Sequence, residues 1–280
     1  MTRRGNPRRA QAGAPPAPFG SRMLGSAFRV SPRMKVALFV PCFIDAFYPE
    51  VGIATLELLE RFGCEVDYPL EQTCCGQPMA NSGAQAEAAG AERVYARAFA
   101  GYDYIVGPSA SCVNHVRDHF DALEQTDAVR KVRESTYELV EFLHDVLGAR
   151  EFPWAEFPWR VGLHNSCSAL RHLHEASVSE VAGPVFSKPL ALLEHVKGIE
   201  FVKPARPDEC CGFGGTFAVT EEAVSVRMGQ DKVVDHVSAG AQYIVSADMS
   251  CLMHQQGCAE RMSADIRFIH IAQVLNGARE

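Results

Sequence analysis

Eight of the ten cysteines in this chain form one pattern written twice. A lone cysteine follows a short apolar run, a Cys-Cys-Gly comes next, and a last cysteine follows another apolar run. The first copy is Cys42, Cys74-Cys75-Gly76 and Cys112; the second is Cys167, Cys210-Cys211-Gly212 and Cys251. Thiolates are soft ligands that suit iron–sulfur clusters and zinc, and four of them serve one 4Fe–4S cluster or one tetrahedral zinc ion. Neighbouring side chains diverge, so a Cys-Cys pair chelates one small ion poorly but can reach different irons of a larger cluster. The glycine after it lets the backbone turn sharply. The pattern predicts one or two iron–sulfur clusters, with zinc as the alternative. A single free cysteine is ordinarily a small buried hydrophobe; eight in matched register are not explained that way.

Other residues follow the repeat less closely. Cys112-Val-Asn-His115 and Cys251-Leu-Met-His254 share one offset, so His115 and His254 are candidate ligands, hydrogen-bond partners of ligands or proton carriers. The alternative is a surface histidine on a helix. His164, His172 and His174 surround Cys167 in the second half only, and His172 and His174 read as solvated. Cys64 has no counterpart and reads as core packing. Cys258, seven residues after Cys251, reads as core packing, with a spare ligand as the alternative.

The elements that must position these residues also repeat. Lys35–Cys42 aligns with Arg160–Cys167, Leu56–Glu60 with Leu190–Glu194, and Tyr104–Cys112 with Tyr243–Cys251. In the first half, Val36–Val40, Glu65–Tyr68 and Tyr104–Val106 read as strands, and Val51–Phe62 and Ala84–Ala100 as helices. In the second, Val161–His164, Glu200–Val202 and Tyr243–Val245 take the strand roles, and Thr220 reads as the N-cap of a helix running towards Val237. Tyr137–Leu147 and Ile269–Asn276 read as closing helices. Strands alternating with helices predict an α/β fold: two pseudo-symmetric Rossmann-like units, each a parallel sheet flanked by helices, from an internal duplication. The expected organisation is a basic leader 1–33, a first unit 34–150, a linker 151–159 carrying two prolines, and a second unit 160–280. The lone cysteines then fall just past the carboxyl ends of strands, the edge where open α/β sheets bind ligands.

Composition narrows the function classes. Apolar content of 47% and charged content of 22% suit a globular core. The net charge of −7 argues against nucleic acid as a partner. No apolar run reaches the roughly 18 residues of a membrane span. The first 34 residues hold seven arginines and no acid, which leaves a formal −14 on the remainder, the whole-chain −7 less the leader's +7. That leader lacks the apolar stretch of a secretory signal and reads as a disordered tail, with Met34 as the working start. The expected compartment is reducing cytoplasm, where clustered cysteines bind metals rather than pair as disulfides. Pro41-Cys-Phe-Ile-Asp-Ala has no dinucleotide glycine fingerprint, and there is no phosphate loop and no Gly-x-Ser-x-Gly. A redox centre without its own hydride carrier reads as an electron relay that needs partners.

From Met34 to Asn276 the chain resembles the duplicated cysteine-rich CCG domain family, which includes the cysteine-rich subunit of heterodisulfide reductase, and within it the lactate utilization protein A family. Lys35-Val-Ala-Leu-Phe-Val-Pro-Cys-Phe-Ile-Asp45 is similar to the amino terminus of the latter. The full CCG pattern ends in Cys-x-x-Cys. Here Ser109 and Asp248 stand where the first of those cysteines would be, so each half has four ligand cysteines rather than the five that build the reductase's non-cubane cluster. Ser109 and Asp248 are candidate oxygen ligands in their place.

The resemblance implies a component of a system that oxidises L-lactate to pyruvate and allows growth on L-lactate. It implies two further lactate-utilization proteins as partners, one with ferredoxin-like iron–sulfur motifs. Three roles are open at this point: an electron-transfer subunit, a zinc-bound or metal-free scaffold, and a thiol–disulfide enzyme using a Cys-Cys pair. The unequal spacings of the two halves, with Asp248 against Ser109, predict two centres that differ in potential or occupancy.

Overall fold

The computed structural model describes residues 34–278, so the basic leader lies outside the described residues. Each half is an all-parallel four-stranded sheet with helices on its faces. The first half runs β1 (Lys35–Leu38), α1 (Cys42–Phe47), α2 (Pro49–Arg61), β2 (Glu65–Asp67), α3 (Gln77–Asn81), α4 (Gln85–Ala98), β3 (Ile105–Gly107), α5 (Ala110–His119), α6 (Asp127–Glu134), β4 (Thr136–Glu138) and α7 (Leu139–Glu141). The second runs β5 (Arg160–Leu163), α8 (Lys188–Leu193), β6 (Glu200–Val202), α9 (Phe217–Thr220), α10 (Glu222–Ser238), β7 (Tyr243–Ser246), α11 (Met249–Met262), β8 (Arg267–His270) and α12 (Ile271–Asn276).

The strand orders are β2-β1-β3-β4 and β6-β5-β7-β8. Central strands bury both faces, which is why β3 and the Tyr243–Val245 part of β7 are apolar without alternation. From β1 the chain first moves to β2 and then returns to the other side of β1 as β3. That reversal opens a crevice between β1 and β3, and likewise between β5 and β7, where ligands of open α/β sheets bind.

The fourth strand of each half is not apparent in the sequence. Thr136–Glu138 and Arg267–His270 overlap the expected closing helices, yet they pair with β3 and β7. Each is three or four residues long and runs directly into a helical turn, so its local pattern carries no separate strand signal. After α7 the chain continues as a π-helical turn, Phe142–Val146. Thr220 is not the N-cap of the long second-half helix: it ends α9, and Glu221 precedes α10.

The segment 151–159 joins the halves and is itself packed, with Phe152, Ala155 and Phe157 buried. The indole N–H of Trp154 donates to the Leu275 carbonyl at 2.9 Å, and its ring meets Phe62 edge-on. One apolar cluster therefore runs through both sheets, from Val36 and Leu58 to Ile244 and Leu275.

Candidate functional site: a cysteine-lined cavity

Each cysteine is held by a different element. Cys42 opens α1 immediately after β1, Cys74 and Cys75 end the loop after β2, and Cys112 lies in the first turn of α5 after β3. Gly76 (φ 95°) and Gly212 (φ 89°) adopt the left-handed conformation, which turns the chain from the Cys-Cys pair towards the next helix. At Gly212 a Cβ would stand 2.6 Å from the Ser225 carbonyl oxygen, so only glycine lets α10 approach.

Within each half the four thiols form a chain of contacts. The Cys42 thiol donates to Cys74 with the sulfurs 3.6 Å apart. Cys74 in turn meets Cys75, and Cys75 meets Cys112. The second half repeats the order Cys167, Cys210, Cys211, Cys251. Hydrogen bonds from Cys42 and Cys75 hold the Cys74 pKa well below its usual range, and those from Cys167 and Cys211 do the same for Cys210. The Gly212 amide also donates to Cys210 Sγ at 3.4 Å. Donating raises Cys42, Cys167, Cys75 and Cys211, the last two being almost fully buried. Cys74 and Cys210 are thus the thiols of each set that lose a proton most readily, and the thiolate is the form that binds soft metals.

The two sets open onto a shared space. All eight cysteines line one cavity of about 380 Å³. The carboxyl edges of the two sheets meet there: Phe43 packs edge-on against Phe213 at 5.8 Å, and Ser109 pairs with Asp248 as an antiparallel bridge.

Ser109 and Asp248 both line this cavity, but each has structural work. Ser109 caps α5, accepting from the Cys112 amide at 3.4 Å. The buried Asp248 carboxylate accepts from the Ser111 amide (3.0 Å), the Ser111 hydroxyl (3.3 Å) and the Ser250 hydroxyl (2.8 Å). Burial raises its pKa and these hydrogen bonds oppose the rise. Three of about four acceptor sites on the carboxylate are occupied.

His115 and His254 lie behind the cysteines and not on the cavity wall. His115 is buried 3.6 Å from Glu92, and burial lowers its pKa to about 4, so it is neutral at physiological pH. His254 Nε2 lies 3.1 Å from the Ser225 carbonyl, to which it donates, and Ser225 Oγ donates to the Gly212 carbonyl at 2.8 Å. His254 therefore steadies the Cys-Cys-Gly turn. His172 and His174 are exposed. Cys64 is buried in the apolar core, and Cys258 packs beside Gly229 with its thiol 3.8 Å from the Val226 carbonyl.

One site residue lay outside the expected ligands. His164 is buried, and its ligand nitrogen lies within 4.8 Å of the sulfurs of Cys211 and Cys251. Both its ring nitrogens lack a hydrogen-bond partner. The available signal was its place at the end of a strand, three residues before Cys167, where the first half carries Phe39. The donors present therefore fit a soft metal or a cluster: two sets of converging thiols and an orphaned buried imidazole.

Fold and site together define a protein of two cysteine-rich units that share one thiol-lined cavity. The cysteine-rich domain family, CCG, matches residues 36–117 and 161–256. A lactate utilization protein A from Geobacillus thermodenitrificans is 43% identical over 247 residues, covering 87% of this chain and 99% of that protein. One from Bacillus subtilis is 40% identical with the same coverage. The chain belongs to the lactate utilization protein A family. A solved hypothetical protein from Helicobacter pylori shares the fold, with a TM-score of 0.52 and 9% identity. That match covers 89% of this chain and half of the other. Among the described residues no helix is long and apolar enough to cross a membrane.

Proposed function

We propose that this protein serves in lactate utilization as the cysteine-rich electron-transfer component of an L-lactate-oxidising system, holding one or two iron–sulfur clusters. The observation that carries the reading is the convergence of two four-thiol sets on one cavity at the sheet edges. Membership of the lactate utilization protein A family supplies the substrate. Two other lactate-utilization proteins are its proposed partners, one with ferredoxin-like iron–sulfur motifs.

Oxidation of lactate to pyruvate releases two electrons and two protons. A bound iron–sulfur cluster supplies one-electron transfer. The chain's own part is to hold and shield. Cys42, Cys74, Cys75 and Cys112 would ligate in the first half, and Cys167, Cys210, Cys211 and Cys251 in the second. Phe43 and Phe213, in edge-on contact, line the cavity both sets share, and the Gly212 amide donates to Cys210 Sγ.

Protein purified without oxygen is expected to contain iron and acid-labile sulfide and to lose its visible absorbance on reduction. A strain deleted for the gene is expected to lose growth on L-lactate, regained with the wild-type gene and not with Cys75→Ser. Absence of iron and sulfide, or stoichiometric zinc instead, overturns the cluster assignment. Undiminished growth of the deletion strain on L-lactate overturns the role.

A further inference from the structure

The two halves differ most just behind their cysteines. Backbone pairing fixes the correspondence: the Phe39 amide donates to the Val106 carbonyl, and the His164 amide to the Val245 carbonyl, each at the end of the equivalent strand. Phe39 packs on Tyr95 and Phe99, with ring centroids 5.0 Å and 5.8 Å away, in a closed aromatic cluster. In the second half His164, Lys232 and His236 occupy these three places. Gly76 lies against Ala88 and Gly212 against Ser225, which aligns α4 with α10 and so Tyr95 with Lys232 and Phe99 with His236.

This substitution is built into the packing. A Cβ at Gly162 would collide with the His236 ring, and the first half has Ala37 there. Lys232 is fully buried, and its ammonium donates to the carbonyls of Arg206 (2.6 Å) and Pro207 (3.1 Å). Lys232 is therefore satisfied, whereas His164 and His236 are buried with no ring nitrogen bonded, and of the two it is His164 that lies within 4.8 Å of the Cys211 and Cys251 sulfurs. An unpaired buried imidazole is costly unless something binds it.

We propose that the second cysteine set binds its metal with His164 as a nitrogen ligand beside Cys211 and Cys251. The second half is then a mixed imidazole–thiolate centre, and the first half, with Phe39 in the same place, is all-thiolate. Imidazole and thiolate together are a donor set that zinc, cobalt and iron all accept. This assignment rests on the reading of the cysteines as metal ligands but not on the identity of the metal.

The test uses the full chain, stripped of metal under reducing anaerobic conditions and titrated with Co²⁺ alone. Two classes of bound Co²⁺ with thiolate charge-transfer absorbance are expected. His164→Phe should weaken one class about tenfold or more and move its ligand-field bands towards those of the other. Cys74→Ser should weaken the other class. As a check that needs no variant, protein reconstituted with iron and sulfide and labelled with ¹⁵N-histidine should show a directly bonded nitrogen coupling by pulsed EPR. Unchanged Co²⁺ affinity and spectrum in folded His164→Phe, or no thiolate-bound Co²⁺ at all, overturns the assignment, as does a second-half centre without nitrogen coupling. A zinc protein lacking iron and sulfide would sink the cluster reading and leave the Co²⁺ result to decide on His164.

Discussion

The carboxylate of Asp248 accepts the backbone N–H of Ser111 at 3.0 Å, so a residue of the second half caps the first turn of α5 in the first. Ser109 caps the same turn from its own side through the Cys112 amide. A helix leaves its first amides unpartnered. Here two of them, at the turn that carries Cys112, are satisfied by the two positions at which a related family pattern has a further cysteine. Those positions act as a brace between the halves, and the brace sits on the cavity wall.

Asp248→Ala is expected to cost about 1–3 kcal/mol, because it strands the part-buried Ser111 amide and two hydroxyls. Asp248→Asn, which keeps an acceptor oxygen, should lose less. Ser109→Ala should cost about 1 kcal/mol, as a lost N-cap. Urea unfolding measures all three, and Asp248→Ala as stable as wild type would remove the brace.

The two Cys-Cys-Gly turns should differ in their tolerance of a side chain. Both glycines have positive φ, so alanine strains each by about 1–2 kcal/mol. At Gly76 the added Cβ would meet its nearest atom at 3.4 Å, but at Gly212 it would meet the Ser225 carbonyl at 2.6 Å and Met228 at 2.7 Å. Gly212→Ala should therefore be the more damaging, losing second-half metal while Gly76→Ala retains more of its own. Metal analysis with thermal unfolding would decide; equal losses count against the asymmetry.

A buried pair of acids sets a pH dependence. Glu138 and Glu175 are fully buried and lie against each other. Burial first, partly opposed by the neighbouring Glu138, pushes Glu175 up from 4.5 to about 8. The folded chain thus keeps a proton that the unfolded chain releases. The stability from this group is whole below about pH 4.5 and is lost as pH rises towards about 8. Glu175→Gln, neutral throughout, should raise the melting temperature relative to wild type at pH 8 and leave it little changed at pH 4.5. A difference that is flat across this window would contradict the assignment.

Cys64 and Cys258 should separate packing from ligation. Both are buried and neither lines the cavity. Cys64→Ala and Cys258→Ala are expected to lower stability modestly, by about 1–2 kcal/mol, with metal content unchanged. Cys75→Ser and Cys211→Ser should lower metal content in their own halves. Metal loss in Cys258→Ala would make that residue a ligand.

Much of this was legible in the residues. Apolar runs such as Val36–Val40 and Tyr243–Val245 marked the central strands because strands buried on both faces must be apolar along their length. The alanine-rich stretch 84–100 marked α4, observed at Gln85–Ala98, because alanine has the highest helix propensity. The edge strands Thr136–Glu138 and Arg267–His270 are not legible in the sequence, because three or four residues beside a helix leave no period to read.

The eight-cysteine pattern and its duplication were determined by the sequence alone, since spacing and residue type are enough to state them. What only the tertiary structure decided is that the two sets share one cavity, that Asp248 braces α5, and that His164 stands beside Cys211 and Cys251 where Phe39 stands in the first half. Each of these joins residues far apart in the chain. Such contacts follow from how the two sheet edges pack against each other, and no local spacing encodes that.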